Sequence, residues 1–301
     1  MKKFLIVILG PTGVGKTNVA IELARHFKTE IISADSRQFY VEMKTGTAVP
    51  TDTQLKKVKH HFIGFLSVKD YYSSSLFERD VLQLLDRLYS SHNIVIMTGG
   101  SGMYINAVCS GIDDIPDTDP RVREKYNRIF REEGIESLRI ALKLHDPAYY
   151  EAVDLRNHQR IIRALEIYES TGKPFSAFLT GKQAERNFGV VRIGLELARE
   201  ELYERIDNRV DKMIENGLED EAMGLVGLRG LNALKSVGYA ELFDYFDGKT
   251  TREKAIELIK RNSRRYAKRQ MTWWSRDRGI KWFHPGKVTE IIEYISLSVS
   301  D

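Results

Sequence analysis

Short apolar runs, each closed by a turn rich in glycine or polar residues and followed by helical spacing, set the pattern of the first hundred positions. Phe4–Leu9 is apolar throughout. A glycine-rich turn interrupts it, and Val19, Ala20, Ile21, Leu23 and Ala24 then resume at helical intervals. Residues 30–33 form a second candidate strand, ending in Ala34-Asp35-Ser36-Arg37-Gln38-Phe39-Tyr40. Residues 93–98 form a third, running into Gly99-Gly100-Ser101-Gly102-Met103-Tyr104 and a further helical repeat. Residues 60–66 read as a short element, and Leu76, Phe77, Val81, Leu84, Leu85 and Leu88 mark an amphipathic helix entered through a serine cap. Fully apolar strands alternating with helices predict a parallel sheet covered on both faces.

The texture changes after Ile115-Pro116-Asp117-Thr118-Asp119-Pro120. From 121 to 180 only helical patterns occur, over 122–133, 135–144, 147–152 and 158–170. Strand character returns at 190–195. Helical patterns follow over 199–216, 219–228 and 252–274, and 280–283 reads as a last strand before a closing helix. The predicted architecture is an α/β, P-loop NTPase-like parallel sheet flanked by helices, with an all-helical insertion domain. The core comprises 1–116 and 190–301, and the insert 117–189.

The first turn carries specific chemistry. Gly10-Pro11-Thr12-Gly13-Val14-Gly15-Lys16-Thr17 has the G-x-x-x-x-G-K-T spacing of a phosphate-binding loop, in the required strand–turn–helix context. Glycines let successive N–H groups turn inward on an anion, and the helix behind them adds its positive end. Lys16 supplies a point charge for terminal phosphates, and the Thr17 hydroxyl is placed to ligate magnesium. The 98–104 turn should lie on the same sheet edge, where Ser101 either touches a substrate or caps a helix. Asp35, at the end of the second strand, faces the same choice between a ligand and a local cap. No acidic residue closes the 93–98 strand, so the usual second magnesium ligand of nucleotide hydrolases is missing. His60 and His61 have no carboxylate or cysteine at ligand spacing, which leaves loop or phosphate contacts as their expected role.

Composition narrows the partners. One cysteine, Cys109, in 301 residues excludes an internal disulfide framework and fits a reducing cytoplasm. Lys2-Lys3 before six apolar residues is too short for a secretion signal, and nothing has the length of a membrane span. A cytoplasmic protein acting as a monomer, away from membranes, is therefore expected. Net charge is only +4. However, between Arg252 and Lys281 eleven basic residues face three acidic ones, a local +8 that leaves −4 for everything else. With Tyr266, Trp273, Trp274 and Trp282 interleaved, that stretch suits a polyanion bearing stackable bases. In the insert, Gln159-Arg160-Ile161-Ile162-Arg163 puts two arginines on one helix face, and Arg121 and Arg123 stand at its entrance.

These motifs together resemble the tRNA dimethylallyltransferases, also called tRNA isopentenyltransferases, over essentially the whole chain. The matching segments are GPTGVGKT, ADSRQFY, GTAVP at 46–50, TGGSGMYI at 98–105, DPRVR at 119–123, NHQRIIRALEIYESTGKP at 157–174, VGYAEL at 237–242 and KRQMTWW at 268–274. The resemblance implies transfer of a dimethylallyl group from dimethylallyl diphosphate to the exocyclic amine (N6) of the adenosine 3′ to the anticodon. It makes Asp35 the general base and gives the diphosphate to residues 10–17 with Mg2+. Arg209 becomes a further diphosphate contact, with Arg205 a weaker candidate, and Ser101 stands where many relatives have threonine. It assigns tRNA contacts to Asp35, Ser36, Arg37, Gln38, Ser101, Arg123, Gln159, Arg160, Ile161, Ile162 and Arg163. The acceptor base, stacked in an anticodon loop, is implied to be flipped out to reach the diphosphate. Three rivals share parts of this pattern: a small-molecule kinase, an enzyme prenylating free adenine nucleotides, and an RNA-binding ATPase. The first two have no need of the insert and the basic stretch, and the missing acidic strand end disfavours the third.

Overall fold

The computed structural model describes residues 2–300 except Asp114, Asp117 and Lys182, and it leaves out the Pro120 side chain. The predicted boundary at Asp117 thus lies outside the described residues. The chain divides into two compact units, Met1–Ser110 with Glu185–Asp301, and Gly111–Ala184.

The first unit opens with β1 (Phe4–Leu9), α1 (Lys16–His26), β2 (Ile31–Ser33), α2 (Asp52–Leu55), β3 (His60–His61), α3 (Ser74–Leu88), β4 (Ile94–Thr98) and α4 (Gly102–Ser110). All strands of its sheet run parallel. The order is β3-β2-β4-β1 and then β5 (Gly189–Leu195) and β6 (Lys281–Phe283). Alternation along β1 divides the core. Leu5, Val7 and Leu9 face a layer with Phe77, Val81 and Leu85 of α3 and Ile105 of α4. Ile6 and Ile8 face Val19, Ile21 and Leu23 of α1, joined by Leu202, Ile206, Ile291 and Ile295. Because the strands are parallel, the turns after β1, β2 and β4 all emerge at one edge, where ligands of open α/β sheets bind.

The second unit is helical: α5 (Pro120–Glu133), α6 (Ile135–His145), α7 (Pro147–Ala152) and α8 (His158–Thr171). Tyr126, Leu138, Leu142, Ile161, Ile162, Leu165 and Phe175 are buried in its core. Its ends are tied together because Asp113 Oδ1 accepts hydrogen bonds from the Thr180 amide at 2.8 Å, the Thr180 hydroxyl at 2.7 Å and the Gly181 amide at 3.2 Å. This unit therefore runs from 111 to 184, whereas sequence texture set it at 117–189.

After β5 come α9 (Arg199–Glu215), α10 (Leu218–Gly224), α11 (Tyr239–Phe246), α12 (Arg252–Trp274) and α13 (Val288–Ser300). The helix expected over 219–228 stops at Gly224 and continues as a separate 3-10 turn, Val226–Leu228; glycine is a poor helix interior residue. Thr251 caps α12, its side chain accepting from the Lys254 amide. The buried stripe Ala255, Ile259, Ala267, Gln270 and Trp274 lays that helix along the core. A third cluster of Met43, Val210, Leu218, Tyr239, Leu242 and Ile259 packs α9 to α12 around the loop after β2.

Candidate active site

The turn after β1 adopts the expected cradle. Gly10, Gly13 and Gly15 have φ of 137°, 83° and 105°, conformations that glycine tolerates without strain. At Gly13 a Cβ would also lie 2.9 Å from Ile206 Cγ1, so α9 packs directly behind the loop. The first intrahelical bond of α1 runs from Val19 N to Gly15 O. The preceding amides at 16–18 thus have no carbonyl of their own helix to reach, which is the basis of anion binding at a helix start. Lys16 Nζ folds inward and donates to Gly10 O at 2.9 Å and Pro11 O at 2.8 Å. Burial lowers the Lys16 pKa to about 8; the Asp35 carboxylate opposes that effect and the Arg209 cation adds to it.

Asp35, Lys16 and Arg209 therefore form one electrostatic group. Arg209 is half-buried, its pKa lowered by desolvation and partly restored by Asp35, and its Nη2 donates to the Thr47 carbonyl at 3.3 Å. Arg205, one turn earlier, pairs with Glu201 at 2.9 Å; it lies beside Gly15, where a Cβ would meet its Nη1 at 3.8 Å. Asp35 Oδ1 accepts from Arg37 N at 3.1 Å, which makes a local turn of residues 35–37. Gln38 takes the Ser33 hydroxyl at 3.2 Å and donates to the carbonyls of Thr47 and Ala48 at 3.3 Å.

Ser101 completes the edge. Its Oγ accepts from the Ser36 amide at 2.9 Å and donates to Ser36 Oγ at 3.0 Å. A hydroxyl has one proton and two lone pairs, so one acceptor position remains for a substrate N–H. Gly99 lies so close to Ala34 that a Cβ would stand 2.2 Å from the Ala34 carbonyl oxygen. The turns after β2 and β4 are thus locked together.

The His60-His61 pair departs from its expected role in loop or phosphate contacts. Both residues form the edge strand β3; His61 Nε2 meets Glu30 Oε2 at 2.5 Å and His60 Nδ1 meets the Val58 carbonyl at 2.8 Å. Among the described residues no group of three or more His, Cys, Asp or Glu could hold a metal ion. The donor offered at the cradle is the Thr17 hydroxyl, which suits a magnesium ion carried mainly by phosphate oxygens.

In the helical unit, Gln159 and Arg160 are exposed on α8. The side chains of Ile161 and Ile162 are fully buried, which leaves them nothing to present to an RNA. Arg123 donates to both oxygens of the fully buried Glu166, at 2.5 and 2.9 Å. Arg163 stands 3.6 Å from the same carboxylate and reaches Thr118 Oγ1 at 3.1 Å. Both arginines therefore have a structural partner that spacing alone did not reveal.

Two further residues of the first unit escaped the sequence reading. Glu221 of α10 accepts the successive amides of Lys44, Thr45 and Gly46 at 2.8–2.9 Å and the Tyr239 hydroxyl at 2.7 Å. It clamps the loop whose Thr47 carbonyl orients Arg209 and Gln38. Gln270 of α12 lies between the turns after β1 and β4. On α12 itself, Lys254, Lys260 and Arg264 pair with Glu257, Asp211 and Asp207. No ion pair involves Arg261, Arg265, Lys268 or Arg269 among the described residues, and all four are exposed. Tyr266 and Trp273 are exposed beside them.

The family described as IPP transferase matches residues 38–277. A protein named tRNA dimethylallyltransferase 1 from Bacteroides thetaiotaomicron is 51% identical over 293 residues, covering 97% of this chain and 95% of its own length. Its namesake from Phocaeicola vulgatus is 52% identical, covering 98% of both chains. The crystal structure of the full-length tRNA isopentenylpyrophosphate transferase from Bacillus halodurans superposes with TM-score 0.70 at 36% identity, covering 98% of this chain and 96% of that one. A eukaryotic dimethylallyltransferase described as acting on tRNA superposes with TM-score 0.74 at 26% identity, covering 90% and 70%.

Proposed function

Since this chain belongs to the IPP transferase family and is a tRNA dimethylallyltransferase, we propose that its acceptor is the N6 amine of the adenosine 3′ to the anticodon, with dimethylallyl diphosphate as donor. The amine nitrogen forms a bond to C1 of the allyl group while the bond from C1 to the diphosphate oxygen breaks, its electron pair leaving with diphosphate. The departing N–H proton goes to Asp35. An adenine amine is a weak nucleophile because its lone pair is delocalised into the ring, so removing that proton as the bond forms has real value.

The leaving group gathers negative charge. The first-turn amides of α1, the Lys16 ammonium and the Arg209 guanidinium would stabilise it. Thr17 would hold magnesium jointly with diphosphate oxygens, and the bound ion would offset the same charge. Ser101, with its remaining acceptor position, would receive the second hydrogen of the amine. Arg37 and Gln38 would flank the extruded nucleotide, and Gln159 and Arg160 would contact the anticodon stem-loop from the helical unit. The unpaired cations of α12 would hold tRNA phosphates, which favours affinity over sequence reading.

One observation carries the reading: Asp35 is close enough to Lys16 and Arg209 to perturb both, so the candidate base and the candidate diphosphate site share one electrostatic environment. The test is incubation with dimethylallyl diphosphate, magnesium and unmodified tRNA, followed by mass analysis of the nucleosides. Prenylated adenosine at the position 3′ to the anticodon is expected. Prenylation elsewhere, or phosphoryl transfer instead, would contradict it.

A further inference from the structure

Gln270 is 5% exposed, and its side chain joins two active-site turns that are far apart in sequence. Its Oε1 accepts the Thr12 amide of the phosphate loop at 2.8 Å, and its Nε2 donates to the Gly100 carbonyl at 3.0 Å. The amide orientation follows from the partners, because Thr12 N–H requires an acceptor and the Gly100 carbonyl a donor. The fit around it is tight: a Cβ on Gly100 would lie 2.3 Å from Gln270 Nε2. The residue beyond Gly100 is Ser101, whose hydroxyl holds Ser36 and with it the Asp35 turn.

We propose that Gln270 is a positioning residue for prenyl transfer, setting the distance between the diphosphate cradle and the Ser101–Asp35 side that receives the acceptor amine. This inference rests on the function proposed above. In that reaction the allylic carbon must meet the amine in line with the leaving oxygen, and small displacements of either partner cost rate steeply. Two loops that emerge from neighbouring strands have no other side chain spanning them among the described residues' hydrogen bonds at this point. Gln270 braces them from a 23-residue helix, which is stiffer than either loop.

The test compares wild type, Gln270→Met and Gln270→Glu in single-turnover prenyl transfer at saturating dimethylallyl diphosphate and tRNA. Dissociation constants for each substrate and thermal midpoints are measured alongside. Gln270→Met removes both bonds at nearly constant volume, and the saturated transfer rate should fall at least tenfold while tRNA affinity stays within about twofold. Gln270→Glu keeps an acceptor for Thr12 but sets a carboxylate against the Gly100 carbonyl. Protonation of that glutamate restores a donor, so the Gln270→Glu rate relative to wild type should rise as pH falls. If Gln270→Met does not fold, this pH-dependent ratio decides alone. Wild-type saturated rates in the folded variants, a pH-independent ratio, or a loss confined to tRNA affinity would overturn the brace. Absence of transfer by the wild-type protein would instead overturn the proposed function.

Discussion

Lys16 Nζ lies 2.8 Å from the Pro11 carbonyl oxygen, folded back onto the loop that carries it. A partly buried ammonium that donates to loop carbonyls is poised to exchange those partners for phosphate oxygens, which bind it more strongly because they are charged. Its pKa of about 8, well below the usual lysine value of 10.5, gives a pH dependence with a definite sign. Binding a polyanion favours the charged ammonium, so above pH 8 the free enzyme must take up a proton to bind. Affinity for dimethylallyl diphosphate should weaken by up to about tenfold per pH unit above that point. Titration calorimetry between pH 7 and 9.5 checks this, and Lys16→Met should remove the slope.

The clamp at Glu221 should matter for both stability and diphosphate binding. Glu221→Ala strands three amides and the Tyr239 hydroxyl, at a cost of about 2–3 kcal/mol. By loosening the Thr47 carbonyl, it should also weaken diphosphate affinity through Arg209. Urea unfolding and calorimetry measure the two effects separately.

In the helical unit, Arg123→Ala leaves the buried Glu166 with only the longer Arg163 contact. About 2 kcal/mol of destabilisation is expected, discounted because the Arg123 side chain is 49% exposed. Replacing Glu166 by Gln in the Arg123→Ala background should recover part of it. Thermal unfolding of the single and double variants gives the answer.

For RNA binding, Arg265→Ala or Lys268→Ala should each lower tRNA affinity modestly and reduce the slope of log affinity against log salt by about 1. Lys260→Ala should leave that slope unchanged, because Lys260 is paired with Asp211 at 2.6 Å. Filter binding across a salt series distinguishes them.

The phosphate loop and the Gly99–Gly102 turn were legible because their chemistry is local: spacing, glycines and an adjacent strand and helix sufficed. The long helix was legible from its own helical pattern over 252–274, whose bounds the structure reproduces. What stayed hidden acts over distance. Gln270 and Thr12 are 258 positions apart, Glu221 and Lys44 177, and Glu166 and Arg123 43. Nothing in local patterning joins them. β3 spans only two residues, too few for a periodicity, and loop or phosphate contacts were expected of its histidines because the Glu30 partner of His61 sits on a different segment. The limits of the insert were misplaced by a few residues for the same reason, since the Asp113–Thr180 tie crosses 67 positions.

If Asp35 accepts the amine proton beside a site that holds the leaving diphosphate, removing its basicity must slow transfer without releasing tRNA. Single-turnover transfer by Asp35→Asn, read together with its affinity for tRNA, tests this most directly. A loss of about 100-fold or more in the saturated rate is expected, with tRNA binding within a few-fold of wild type. A folded Asp35→Asn protein that transfers the dimethylallyl group at a near-normal rate would contradict it.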